Sequence, residues 1–234
     1  MASSRQWARS TRGTDRSCDA VVERTPGRWS VSSSIRLSST TLRISPATRY
    51  PRTLDADLAA LRAEEADFLL LPRAEDLYPD CYRYRVTEVE QSAALEGAHR
   101  PGHFDGVLTV VLKLLQIAQP ERAYFGEKDW QQLTLVRGMA DALFLPATIV
   151  GCETAREADG LALSSRNRHL APAERARAPL FYQALMRAPS AGDAARELSA
   201  AGFAVDYVED REGRRLGAVR LGGVRLIDNV RLGG

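Results

Sequence analysis

From Arg49 onward the sequence alternates short apolar segments with longer amphipathic ones, and this alternation constrains the fold most strongly. The segments "DFLLLP", "RAYFG" and "ATIVGCE" are predicted to be buried strands. Helices are predicted for "DGVLTVVLKLLQIAQP", for "WQQLTLVRGMADAL" and for the stretch that follows Thr53. Alternating strands and helices predict a parallel sheet with right-handed crossovers. Ligands of such sheets bind beyond the carboxyl ends of the strands.

The C-terminal part predicts a second, smaller domain. Helices are expected from about Pro172 and over residues 191–201. "FAVDYVED" and "AVRLGGVRLIDN" are predicted strands, and a Gly-Gly turn interrupts the second. The sequence therefore predicts an α/β fold with a small α+β C-terminal domain, and the loop at residues 155–168 marks the boundary.

Composition limits the classes of function. A chain of 234 residues that is 44% hydrophobic suits one or two globular domains. The formal net charge of +2, with arginines spread along the chain, does not favour nucleic-acid binding. The three cysteines are widely spaced without a CxxC pair, which fits a reducing compartment. The longest apolar run is too short to span a bilayer. We therefore expect a cytoplasmic protein.

A first candidate site is the segment "YFGEKDWQQL", in which Gly126, Glu127, Lys128 and Asp129 lie between a predicted strand and a predicted helix. Backbone N–H groups at a helix N-terminus attract phosphate. Lys128 would stabilise charge on that phosphate, Asp129 would bind a ribose hydroxyl, and Gln132 would face the same cavity one turn later. The alternative is a solvated helix start that Asp129 caps.

A second candidate site lies in "READGLALSSRNRHL", where Ser164, Ser165 and Arg166 follow a glycine-containing loop. Two hydroxyls beside a guanidinium suit a mobile clamp for a triphosphate. The alternative is a polar interdomain loop in which Ser165 or Asn167 caps a helix. The chain contains no HExxH, Walker A or GxGxxG motif.

The order and the residues of these segments resemble those of the pantothenate synthetase (pantoate–β-alanine ligase) family. The resemblance is carried by "YPRTLDADLAAL", "RPGHFDGVLTVVLKLLQIAQPERAYFGEKDWQQL" and "VGCETAREADGLALSSRNRHL", and it extends to "RLIDN". It implies a Rossmann-like nucleotidyltransferase domain over residues 49–154, which binds ATP and pantoate. A small C-terminal lid domain would cover residues 155–234.

The resemblance also implies an activity. Family members use ATP and Mg²⁺ to convert pantoate to pantoyl adenylate, and β-alanine then displaces AMP to give pantothenate, in coenzyme A biosynthesis. They are usually homodimers. Carried over by position, Gln132 binds pantoate, Lys128 and Arg166 are catalytic, and the metal ligands are unknown. The ATP-binding residues implied are Gly126, Glu127, Lys128, Asp129, Ala155, Leu163, Ser164, Ser165 and Arg166. Ala155 stands where the family usually has valine.

Residues 1–48 lack the N-terminal half of the family's site. The family has a Met-Gly-Ala-Leu-His-x-Gly-His segment, whose histidines stabilise the triphosphate, and an Asn-Pro-x-Gln-Phe loop, whose glutamine binds pantoate. Here no histidine precedes His99, and the segment is rich in serine and arginine. A transit peptide or a disordered tail would have this composition.

The genetic code offers another explanation. When the last base of each codon is joined to the first two bases of the next, permitted codons from Arg5 to Thr14 spell T-M-G-A-L-H-E-G-H. From Trp29 to Ser39 they spell V-G-I-F-V-N-P-S-Q-F. Our hypothesis is that residues from about 4 to 48 are an out-of-frame translation of the family's N-terminus, which disrupts the N-terminal βα units. The correct frame would resume near residues 46–49.

There are two alternatives to an active pantothenate synthetase. In the first, the chain is a catalytically inactive family remnant, because the histidine motif and the N-terminal pantoate-binding loop are missing. In the second, it is an adenylate-forming ligase for a different acid, which profiling of acids and amines would reveal.

Overall fold

The computed structural model of the chain describes residues 20–23, 28–31, 54–63 and 66–233. Most of the segment predicted to be out of frame therefore lies outside the described residues, as does Thr53. The chain divides into two compact units. One, the sheet unit, contains the described residues up to Gly126 and residues 131–152. The other, the C-terminal unit, contains residues 127–130 and residues from 153 onward.

The sheet unit is built on a five-stranded sheet of order β3-β2-β1-β4-β5. Its strands are β1 (Ala20–Glu23), β2 (Arg28–Val31), β3 (Phe68–Leu70), β4 (Arg122–Gly126) and β5 (Thr148–Cys152). Strand β2 runs parallel to β3 and β4 runs parallel to β5, so the predicted α/β class is confirmed. Strand β1 is antiparallel to both of its neighbours. Only residues 24–27 separate β1 from β2, in place of a βα unit.

Five helices of the described residues accompany this sheet: α1 (Leu54–Ala63), α2 (Ala74–Leu77), α3 (Glu96–His99), α4 (His103–Ala118) and α5 (Trp130–Ala142). Helix α4 is buried along most of its length, because apolar residues cover more than one of its faces. Its last residue is Ala118. The next residue, Gln119, has a left-handed backbone, and Pro120 cannot continue a helix. Phe125 of β4 and Val136 of α5 are almost fully buried in the core.

The C-terminal unit has three helices and an antiparallel sheet of order β6-β7-β8. The elements are α6 (Pro172–Arg177), α7 (Pro179–Arg187), α8 (Ala191–Ala200), β6 (Ala204–Arg211), β7 (Arg214–Leu221) and β8 (Val224–Arg231). Gly222 supplies the positive φ of the predicted Gly-Gly turn. Helix α7 approaches β7 so closely at Gly217 that an added Cβ would lie 3.0 Å from the Phe181 ring. The predicted small α+β fold is confirmed by these elements.

Arg215 ties the helices of this unit to its sheet. Its guanidinium binds both carboxylate oxygens of Asp210, at 2.7 and 3.0 Å, and donates to the carbonyls of Leu185 and Ala188 at the end of α7. The Arg215 side chain is only 3% exposed. The hydrogen bond from Arg215 holds the pKa of Asp210 below its ordinary value of 3.8, against the opposing effect of burial.

Replacing Arg215 should therefore change how the protein unfolds in acid. A carboxyl whose pKa is lowered by folding stabilises the fold above its ordinary pKa, and this contribution is lost as the pH falls through the lowered value. We expect Arg215→Gln to lower the melting temperature at neutral pH and to make its decline below about pH 4 shallower. Circular dichroism melts across a pH series measure both effects.

The matched control is Arg211→Gln, because Arg211 pairs with Glu209 on the same sheet but is about half exposed. An exposed pair contributes little to stability, so this variant should resemble the wild type. Equal acid dependence in the wild type and Arg215→Gln would contradict the assignment.

Candidate active site

The predicted phosphate segment is a single 3₁₀ turn, Glu127–Asp129, between β4 and α5. Asn229 of β8 donates from Nδ2 to the carbonyls of Glu127 and Lys128, at 2.8 and 3.0 Å. The Glu127 carboxylate pairs with Arg214 and, at 3.1 Å, with Arg231. The backbone of the turn is thereby fixed, and the charge of Glu127 is compensated within the protein.

The Lys128 side chain is 21% exposed, and its Nζ lies 3.9 Å from Oδ2 of Asp129. Such a loose pair in contact with solvent is worth little. Among the described residues, Lys128 makes no other ion pair. Its ammonium is therefore available to a more strongly charged anion. Asp129, in turn, is close enough to hold the ammonium near the turn.

The second predicted segment is held by a different set of contacts. Residues 156 and 162 form an antiparallel bridge, and the Leu163 amide donates to the Ala155 carbonyl at 2.9 Å. Asn167 donates from Nδ2 to Oε1 of Glu157 and to the Ala162 carbonyl, each at 3.0 Å. The loop is therefore closed on itself by backbone and side-chain hydrogen bonds. The Ala155 carbonyl is already occupied by one of them.

Arg175 of α6 anchors the same loop through two carboxylates. It binds Glu157 at 2.7 Å and Asp159 at 2.6 Å. Burial by itself would raise the pKa of Asp159, but hydrogen bonds from Arg175 and from the Leu161 amide hold that pKa below its ordinary range. The hydrogen bonds that Arg175 donates to Asp159 and Glu157 raise the pKa of Arg175. Both carboxylates help to position the loop, and the lowered pKa of Asp159 keeps that group charged at neutral pH.

Ser164, Ser165 and Arg166 begin a short 3₁₀ helix, Ser165–His169. Oγ of Ser164 accepts the Arg166 amide at 3.2 Å and so caps this helix. In the alternative interpretation Ser165 or Asn167 would cap a helix, but Ser164 holds the capping position of this one. Oγ of Ser165 and Oδ1 of Asn167 are buried and have no hydrogen-bond partner among the residues that the structure describes. Buried polar atoms of this kind are rare in proteins.

The structure brings Lys128, Ser164 and Arg166 together in the lining of one open pocket. The remaining lining residues are Leu161, Ala162, Asn167, Phe181, Arg225, Leu226, Ile227 and Asp228. The carboxylate of Asp228 is compensated by Arg156, at 2.6 and 3.0 Å. Of the three cations in this lining, Arg225 is paired with Asp206 at 2.6 Å. Lys128 and Arg166 add further positive charge, so the pocket suits an anion.

Gly126 and Gln132 belong to the sheet unit rather than to this pocket. Gly126 ends β4 and pairs with Cys152 of β5, so the segments that follow leave the sheet from adjacent strands. Gln132 lies in the first turn of α5 and is half-buried. Its neighbour Gln131 is buried and hydrogen-bonded to backbone groups of residues 91, 94 and 96, which makes Gln131 structural.

Sequence reasoning did not identify Asn229, Arg214, Arg156 or Asp228. Asp228 and Asn229 are 4% and 3% exposed, between the apolar residues Ile227 and Val230. Two adjacent polar residues between apolar ones in a predicted strand were the available signal, since buried polar groups require partners.

Among the described residues, no group of three His, Cys, Asp or Glu side chains is placed to hold a metal ion. Those residues also form no helix that is long and apolar enough to cross a membrane.

Known proteins resemble this chain over most of its length. The sequence profile described as pantoate-beta-alanine ligase matches residues 45–231. A pantothenate synthetase of Bdellovibrio bacteriovorus is 54% identical over 184 residues, which are 79% of this chain and 73% of the relative. One from Legionella pneumophila is 48% identical over 183 residues, 78% of this chain and 73% of the relative.

Solved structures agree in fold as well as in sequence. Pantothenate synthetase from Thermus thermophilus superposes with a TM-score of 0.71 at 42% identity, covering 79% of this chain and 76% of that one. The enzyme from Francisella tularensis, solved in complex with beta-gamma ATP and beta-alanine, gives a TM-score of 0.72 at 37% identity and covers 78% and 71%. From these matches, the chain belongs to the pantoate–β-alanine ligase family.

Proposed function

We propose that this architecture serves the ATP-dependent condensation of pantoate with β-alanine through a pantoyl-adenylate intermediate. The observation that carries the proposal is the pocket in which Lys128, Ser164 and Arg166 meet. Two cations and a hydroxyl at one place suit the phosphates of ATP. The Francisella tularensis relative was solved with an ATP compound and β-alanine, and we transfer both ligands to this chain.

In the first step, a carboxylate oxygen of pantoate attacks the α-phosphorus of ATP, and the bond to pyrophosphate breaks. Negative charge accumulates on the phosphorus centre and on the departing pyrophosphate. Lys128 and Arg166 lower the barrier by stabilising this charge from fixed positions. Ser164 lines the same pocket, and its hydroxyl would donate to a phosphate oxygen.

In the second step, the amine of β-alanine attacks the acyl carbon, the bond to AMP breaks, and the nitrogen loses a proton. Water must be excluded, since it would hydrolyse the adenylate. Mg²⁺ prefers octahedral oxygen ligands and is commonly bound through phosphates and one or two carboxylates. The described residues offer no cage made by protein alone. We therefore assign Mg²⁺ to the substrate MgATP.

The test uses a restored chain, in which the shifted-frame sequence replaces residues 4–48. Without β-alanine, the restored chain should exchange radiolabelled pyrophosphate into ATP only when pantoate is present. With β-alanine it should release AMP and pantothenate in equal amounts. Exchange without pantoate, or with other acids but not with pantoate, would assign the chain to a different adenylate-forming reaction.

The assignment of pantoate to Gln132 predicts a selective loss of binding. Gln132→Ala leaves a polar group of the substrate unpaired, which costs about 1–3 kcal/mol in affinity. We expect the restored chain with this change to bind pantoate on the order of tenfold more weakly while its ATP affinity is retained. Isothermal titration with each ligand measures the two affinities.

The matched control is Gln131→Ala, in which the truncated amide supports backbone groups of residues 91, 94 and 96. This control should lower the melting temperature and weaken both ligands together. If Gln132→Ala also weakened both ligands equally, Gln132 would be a structural residue as well.

A specific observation favours the inactive remnant as the second candidate. The family match begins at residue 45, which agrees with the frame that we expect to resume near residues 46–49. No histidine precedes His99. In this case the chain retains Lys128, Ser164 and Arg166 but lacks the N-terminal wall of the site, and it binds nucleotide without turning it over.

A further inference from the structure

Asn229 is only 3% exposed, and its side-chain hydrogen bonds go to the Lys128 turn and to Arg214, which supports that turn. Nδ2 donates to the carbonyls of Glu127 and Lys128, at 2.8 and 3.0 Å. Oδ1 accepts from Nη1 of Arg214 at 2.5 Å. One amide thus uses both of its donor hydrogens and its acceptor.

The orientation of this amide is chemically determined. Rotating it by half a turn would place Oδ1 against two carbonyl oxygens and the NH₂ group against a guanidinium. An aspartate at this position would have the same size but no hydrogen to donate to the two carbonyls. The site therefore distinguishes an amide from a carboxylate.

Arg214 extends the support. Its guanidinium lies 3.8 Å from the Trp130 ring centroid and pairs with the Glu127 carboxylate, and its side chain is 6% exposed. Asn229 thus holds the backbone of the turn, and Arg214 holds the side chain of its first residue, Glu127. Lys128 itself, which lines the pocket, is left to contact a ligand.

The strand that carries Asn229 also reaches the other predicted ATP segment. Arg156 binds the Asp228 carboxylate and donates to the Asn229 carbonyl at 3.3 Å and to the Gly160 carbonyl at 3.1 Å. The Asp228 carboxylate in turn accepts a hydrogen bond from the backbone N–H of Asn229 at 2.8 Å. Adjacent residues of β8 therefore hold the Lys128 turn and the loop at residues 155–163.

We propose that Asn229 is a positioning residue for the nucleotide site, which fixes the Lys128 turn relative to the loop that carries Ser164 and Arg166. It acts through the backbone of Lys128 and does not touch the substrate. The inference rests on the proposed nucleotide role of this pocket. It adds a residue of the C-terminal strand to the determinants of phosphate binding.

The chain provides a direct reporter, because Lys113 and Lys128 are its only lysines. Labelling the full 234-residue chain with ¹⁵N-lysine gives two backbone amide signals, and Lys113→Arg assigns them. The variants are Asn229→Asp, which keeps the size, and Asn229→Ala. The matched control is Arg215→Gln, which removes a side chain of similar burial on β7 that has no described contact with residues 127–130.

Without nucleotide, both Asn229 variants should shift or broaden the Lys128 signal, while the Lys113 signal and both signals of Arg215→Gln stay in place. When MgATP is titrated, the Lys128 signal should move in the wild type and in Arg215→Gln. In the Asn229 variants the affinity should be about tenfold or more weaker, as expected when a backbone support is lost.

An unchanged Lys128 signal in Asn229→Ala would overturn the inference, as would an ATP affinity equal to that of Arg215→Gln. A wild type whose Lys128 signal ignores MgATP would instead count against the nucleotide role of the pocket. The spectra recorded without nucleotide would then still show whether Asn229 positions the turn. The two failures are therefore distinguishable.

Discussion

Lys128→Ala in the restored chain should reduce pantoate-dependent ATP–pyrophosphate exchange by on the order of a hundredfold or more, as expected for the loss of one preorganised charge-stabilising group. The turn that carries Lys128 is held by Asn229 and Arg214, so truncating this partly exposed side chain leaves the backbone in place. The loss should appear in the rate, since the ammonium is needed most where charge accumulates on the phosphates. Exchange at saturating substrates and the melting temperature together measure the effect.

Two variants complete this experiment. Lys128→Arg keeps the charge but spreads it over a planar group, so it should recover only part of the rate. Lys113→Met removes the other lysine, whose ammonium donates to the Leu77 carbonyl at 2.6 Å in the sheet unit. That change should lower stability and leave the exchange rate of the folded protein near normal. Near-normal exchange in Lys128→Ala would remove Lys128 from the catalytic residues.

The order of the elements could be predicted because it depends on local patterns. Apolar strands such as Arg122–Gly126 and helices such as His103–Ala118 carry their periodicity and their end signals in adjacent residues. The pairing of Gly126 with Cys152 also follows from a parallel βα pattern. The predicted helix from Pro172 was right in position, although Pro179 begins a second helix there.

The support of the candidate site could not be predicted in the same way. The contact between Asn229 and Lys128 joins residues about a hundred positions apart, and local periodicity carries no information about such pairs. Gln131 and Gln132 are adjacent and identical in chemistry. Burial alone distinguishes them, and burial is decided by tertiary packing. Local sequence suggested phosphate-binding roles for Lys128 and Arg166, the resemblance made those roles specific, and the structure adds that both residues line one pocket.

The N-terminal segment shows a different limit of sequence reasoning. Strands Ala20–Glu23 and Arg28–Val31 join the sheet, although the segment lacks the periodicity of the later strands. A sheet offers unpaired backbone groups to almost any extended segment, whatever its side chains. Strands can therefore pair through their backbones without the residues typical of the family. Catalysis, in contrast, depends on specific side chains.

The 234-residue chain as it stands should be essentially inactive in pantothenate synthesis, whereas the restored chain should be active. The family's histidine motif and Asn-Pro-x-Gln-Phe loop supply half of the pocket, and Ser33, Ser34 and Ser38 provide neither an imidazole nor a positioned amide. Positioning and electrostatic stabilisation act together, so the loss of one wall should remove most of the rate, on the order of a thousandfold or more. AMP release from ATP, pantoate and β-alanine, measured for both proteins under identical conditions, gives the comparison.

The control is the restored chain in which the two histidines of the shifted motif are changed to alanine. It has the restored backbone but lacks the imidazoles, so its rate should fall towards that of the original chain. Sequencing the source DNA across codons 1–50 independently tests for the frame change. If the original and restored chains turned over at similar rates, the serine-rich segment would be a working substitute or dispensable, and the out-of-frame hypothesis would be wrong. A large difference between them, abolished by the histidine changes, would place the missing half of the active site in the shifted frame.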